Sequence, residues 1–171
     1  MTDWTRLFQY QLQASADGFI WGFSQIPAAL QLQLPVEPGY LGTWPPLWHV
    51  WHIIGYERYL ALPSMNQWLG GPLPPGDAWK DDDEAWAAAE KSPDAYITSL
   101  QMVRQEQLHL LEQLASVDWE TPSQTLWGNR PLSWIVTKTF QHTYEHGDTL
   151  LRMGLWWEHI LNEIAKGQAI A

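Results

Sequence analysis

Four stretches of this chain repeat their apolar side chains every three or four residues, and no run of residues alternates as a half-buried strand would. That period belongs to helices with one buried face, so it confines the fold to helix packed on helix. In the first stretch, from about Thr5 to Phe23, the repeat is Phe8, Leu12, Ala16, Phe19 and Phe23, with Asp3 placed to cap it. The second opens at Pro45-Pro46, with Thr43 as a cap, and runs to near Pro63. Proline suits a first turn, where its missing N–H has no partner to lose. The third opens with Ser92-Pro93 and repeats Tyr96, Leu100, Val103, Gln107, Leu110 and Leu114. The fourth opens near Pro131, repeats Ile135, Thr139, His142, His146, Leu150 and Met153, and meets Gly154 as a stop signal. These patterns predict helices over 4–25, 44–62, 92–116 and 131–153, with a short extra helix over about Trp156 to Ile164. The expected fold is all-α: a four-helix bundle with a short C-terminal helix, as a single domain over 1–171.

The longest irregular region, about 63–91, holds Gly70-Gly71, Pro72, Pro74-Pro75-Gly76 and the acidic run Asp81-Asp82-Asp83-Glu84. It reads as a solvated loop entering a short helix over Ala85 to Glu90, with a cation site as the alternative.

Two core positions of the fourth helix are histidines. His142 and His146 lie one turn apart on its buried face, about 6 Å apart along the axis, so both rings can turn toward one point. Two imidazoles in a core need partners, either hydrogen bonds or a metal ion. The chain has no cysteine, so a metal would be held by His, Asp or Glu. His49 and His52 share a face of the second helix and are both candidates for a third ligand. Three imidazoles leave a coordination position open, as catalytic sites do, and suit Zn²⁺, Ni²⁺, Fe²⁺ or Cu²⁺. Thr143 stands where a zincin protease needs Glu, which excludes that class. His109 and His159 fall outside the pattern. Glu145, three residues after His142, is a weak catalytic candidate. Glu57 is expected to pair with Arg58 or a neighbouring helix, and Tyr56 to be a core tyrosine.

The second stretch, His52-Ile53-Ile54-Gly55-Tyr56-Glu57-Arg58, and the fourth, His142-Thr143-Tyr144-Glu145-His146 followed by Leu151-Arg152-Met153-Gly154, resemble the two histidine motifs of the DinB-like (YfiT-like) superfamily. The resemblance implies an up-up-down-down-like bundle and a three-histidine metal site at His52, His142 and His146, with His49 in reserve as a substitute ligand or a residue behind the ligands. It also implies a metal-dependent enzyme acting on a small molecule, either a transferase or isomerase using a low-molecular-weight thiol or a hydrolase. The alternative is a non-enzymatic metal- or ligand-binding bundle.

Charge and composition bound the partners. With 19 acidic against 9 basic residues the formal charge is −10, which gives no general attraction to nucleic acid or to an anionic membrane surface. No apolar run approaches the ~20 residues of a membrane span, and the start, Met1-Thr2-Asp3-Trp4, has no secretory pattern, so a cytoplasmic protein is expected. Thirteen tryptophans are expected mostly to pack the core, with some lining a pocket. Such apolar composition also predicts exposed patches and a homodimer.

Overall fold

The computed structural model describes residues 4–166. Four helices form the bundle: α1 (Trp4–Ser24), α3 (Pro46–Tyr56), α6 (Pro93–Gln113) and α7 (Leu132–Ala165). Shorter helices α2 (Pro38–Leu41), α4 (Leu62–Met65) and α5 (Asp83–Ala88) lie in the connections, and a small antiparallel hairpin of β1 (Ser123–Thr125) and β2 (Gly128–Arg130) precedes α7. Each predicted helix is present. Asp3, the expected cap of α1, lies outside the described residues.

Helix ends follow proline more than side-chain caps. Pro46 and Pro93 occupy first turns, but neither Thr43 nor Ser92 makes a capping bond. Asp82 does cap α5, accepting from the Ala85 N–H at 2.8 Å. Pro63 does not end the second helix. A π turn over Glu57–Ala61 intervenes, closed by the Leu62 N–H donating to the Glu57 carbonyl, and the wider turn relieves the clash that proline imposes on the turn before it. Gly154 does not end α7 either, so the predicted C-terminal helix continues α7 without a break. Gly154 serves close approach: a Cβ there would sit 2.9 Å from Cβ of Gln25 at the end of α1. The hairpin was not predicted. Its strands are three residues each, too short for an alternating pattern, and Gly128 at φ +78° is its clearest local signal.

Two apolar clusters fill the bundle. One gathers Phe19, Val50, Ile53, Val103, Leu150 and Trp157; the other gathers Leu12, Tyr56, Leu111, Leu114, Ile135 and Val136. Passing from the first cluster to the second, residue numbers fall along α1 and α7 and rise along α3 and α6. The helices therefore run up, down, down, up, which corrects the up-up-down-down order implied by the resemblance. The reason is the long connection after α3, which carries the chain back along the bundle before α6 starts. Between the clusters lies a polar belt with Ser15 on α1, His49 and His52 on α3, Arg104 and Gln107 on α6, and Thr139, His142, Thr143 and His146 on α7.

Candidate metal centre

Helices α3 and α7 bring four histidines into this belt. His52 Nε2 faces His142 Nε2 at 3.2 Å, and His49 Nδ1 faces His146 Nδ1 at 2.7 Å. One ring nitrogen from each of His52, His142 and His146 falls within 4.8 Å of the others. Residues three or four apart on each helix share a face, so two positions on α3 and two on α7 can meet across the bundle. The three sequence-predicted ligands thus converge, and the reserve residue His49 joins them. His109 is exposed beside Glu112, and His159 is exposed beside Trp156.

Burial keeps these rings neutral. Desolvation lowers the pKa of His52 to about 4. His142 and His146 fall to about 3, first through burial and then through the charge that neighbouring histidines would carry. His49 is also held well below the usual imidazole range, by burial and then by His146 and His52. Each group is depressed because its charged form loses water without gaining an anion strong enough to replace it. Neutral imidazole is the form that ligates a metal.

Aromatic rings wall the cluster. Trp48 stacks on His52 with centroids 4.6 Å apart, and Trp44 lies nearly parallel to His146 at 6.2 Å. Tyr56 sits 4.1 Å from His142, so this core tyrosine also lines the site. Trp79 comes from the returning loop and lies 5.3 Å from His52. Its indole rests on Gly55, where a Cβ would fall 2.2 Å from Trp79 Nε1. The absence of a side chain at residue 55 is what admits the loop to the site.

The same loop brings a carboxylate. Asp81 Oδ2 lies 3.3 Å from His52 Nδ1, a close contact rather than an aligned hydrogen bond. The acidic run therefore divides: Asp81 faces His52 and Asp82 caps α5. Its composition favoured a solvated loop, and only the path of the chain shows which carboxylate turns inward. Glu145 points elsewhere, accepting from Gln141 at 2.8 Å on the exposed side of α7. Glu57 is wholly buried and pairs with Arg104 of α6, the neighbouring-helix alternative, while Arg58 donates to Ser99. Arg104 carried no sequence signal, since an arginine on a helical seam reads as an interruption of it.

Residues 12–150 match the sequence profile of the DinB superfamily. The chain belongs to the DinB superfamily. No curated protein and no solved structure matches it. No helix among the described residues of this DinB-superfamily chain is long and apolar enough to cross a membrane.

The donor set fits a divalent ion. Two nitrogens each about 2.0–2.1 Å from a tetrahedral centre stand about 3.3 Å apart, close to the 3.2 Å between His52 Nε2 and His142 Nε2. Without an ion, one of these atoms must carry a proton toward the other. With an ion both would carry theirs on Nδ1, which lies beside Asp81 in His52 and has no hydrogen-bond partner in His142.

Proposed function

We propose that His52, His142 and His146 hold a divalent transition-metal ion, with zinc, nickel or iron as candidates, and that the protein is an enzyme acting on a small molecule at this ion. The observation that carries the reading is the convergence of three neutral, largely buried imidazoles from two helices, with ring nitrogens within 4.8 Å of one another. When bound, such an ion supplies Lewis acidity that lowers the pKa of a thiol or water reaching it.

The remaining work falls to this chain's side chains. Trp44, Trp48, Trp79 and Tyr56 exclude water from one side and offer flat apolar walls to a substrate. Half-burial of His142 and His146 leaves the other side reachable from solvent. Among the described residues, Asp81 is the carboxylate that contacts the triad, at the edge of the site beside His52 Nδ1. Without cysteine the chain has no thiol of its own, which favours transfer or isomerisation with an external low-molecular-weight thiol over covalent catalysis by the protein. Hydrolysis uses the same open position.

Elemental analysis of the purified protein should find about one metal ion per chain, lost in His146→Ala. A panel of small thiols paired with electrophiles, run beside the same electrophiles in water alone, then separates transfer from hydrolysis. Metal without turnover would leave a binding protein, and a wild-type protein that takes up no ion would end the proposal.

A further inference from the structure

His49 is not among the three residues whose ring nitrogens approach one another, yet it is buried against one of these residues, with Nδ1 2.7 Å from His146 Nδ1. At that distance one of the two nitrogens must carry the hydrogen and the other must accept it. The choice fixes the chemistry of His146. If His49 donates, His146 keeps its hydrogen on Nε2, and the nitrogen on the far side of its ring is blocked. If His146 donates, that nitrogen is bare.

We infer that His49 is a positioning residue: a neutral acceptor that takes the Nδ1–H of His146 and so holds His146 as the tautomer with a free Nε2. The inference rests on the metal reading of the triad only for its consequence, since the tautomer is a property of the protein itself. Histidines that ligate metals usually donate their other N–H to an oxygen of a carboxylate or carbonyl; here Asp81 stands in that place for His52, and the acceptor for His146 is a second imidazole. The cost falls on His49 Nε2, which is buried without a hydrogen-bond partner and then carries the hydrogen. Two indoles flank the ring steeply, Trp44 at 66° and Trp48 at 86°, an arrangement that allows a ring N–H to meet a π face. The identity of residue 49 therefore matters through one lone pair. Asparagine, whose amide oxygen falls close to the place of a histidine Nδ1, retains that acceptor; leucine fills the space without it.

Long-range ¹H–¹⁵N correlation spectra of the metal-free protein should show His146 protonated at Nδ1 and His49 at Nε2. Zinc affinity, read by chelator competition, should stay within about threefold of wild type in His49→Asn and fall about 10–100-fold in His49→Leu. The Co²⁺ absorption spectrum of His49→Asn should match wild type. The inference is overturned if His146 carries its hydrogen on Nε2, if a folded His49→Leu binds zinc as tightly as wild type, or if His49→Asn changes the Co²⁺ spectrum, which would make His49 a ligand. The tautomer measurement needs no metal. A wild-type protein that takes up no divalent ion would therefore sink the metal reading while the spectra still decide this one.

Discussion

Two polar clusters share the middle of the bundle, built partly from the same helices. One is the histidine cluster. The other joins Glu57 and Arg104, both wholly buried, with Thr143. In the second, every guanidinium nitrogen finds oxygen: Nε and Nη2 donate to the two Glu57 oxygens, Nη1 to the Leu12 carbonyl and to Ser15 Oγ, and Nη2 also to Thr143 Oγ1 at 3.2 Å. Thr143 in turn donates to Glu57 at 3.0 Å. In the first, His49 Nε2 and His142 Nδ1 have no hydrogen-bond partner, and the nitrogens that do meet pair ring to ring, His49 with His146 and His52 with His142. A satisfied network needs nothing further and fixes the packing of α1, α6 and α7 against the π turn that follows α3. A cluster of neutral rings, each with one N–H to give and one lone pair to fill, leaves buried ring nitrogens unpaired when the rings meet only one another. Adjacent residues of α7, His142 and Thr143, divide between the two.

The largest effect should come from breaking the closed network. Arg104→Met leaves the Glu57 carboxylate buried and unpaired, and should destabilise the protein by about 3–5 kcal/mol in urea unfolding. Adding Glu57→Leu should recover much of that loss, because an apolar pair of similar volume removes the stranded charge. A small effect of Arg104→Met alone would mean that the two clusters do not differ in this way.

The next test uses the adjacent pair. His142→Ala should abolish stoichiometric metal uptake while costing the metal-free protein less than about 2 kcal/mol. Thr143→Val should do the reverse, keeping the metal and losing about 1–2 kcal/mol of stability through the missing hydrogen bonds. If both variants lose both properties, the belt is one cluster, not two.

Acid should also separate them. His52, His142 and His146 titrate near 4, 3 and 3 in the folded protein, against about 6.5 when unfolded. Between those limits the unfolded chain binds more protons, so stability rises with pH there and is lost as pH falls from about 6.5 toward 3–4. His142→Ala should flatten this dependence in the metal-free protein, as measured by urea midpoints across the range. Metal uptake by the folded protein should persist at pH 5, below the limit near 6 that ordinary imidazoles would set. The smallest effect should be Asp81→Asn. Because Asp81 is half exposed, its loss should weaken zinc binding about tenfold or less, while a loss as large as that from a ligand would make Asp81 part of the coordination.

The fold was legible because a helical period survives any loop between helices. His142 and His146 were legible because they stand at core positions where an apolar residue is expected. His49 and His52 could not be ranked from spacing, since both face the core; the resemblance chose His52, and the structure brings both to the cluster. What sequence could not reveal depends on the return path after α3. Trp79 and Asp81 lie far along the chain from His52, in a stretch with no period, and reach it because the connection must travel back along the bundle. Helix direction was hidden for the same reason: a period specifies a face and says nothing about which way the next helix runs.

The π turn at Glu57–Ala61 has a consequence for how this gene product tolerates insertion and deletion. A turn that holds one extra residue separates α3, which carries His49 and His52, from α4, which carries Ser64 and Met65, both buried. Removing one residue between 57 and 61 would close it to an ordinary helical turn and leave α3 and α4 facing as they do now, whereas adding one would turn α4 by about 100°, exposing what it now buries. This joint can lose its extra residue, at the cost of the clash with Pro63, but cannot take a second. The histidines sit on its sheltered side.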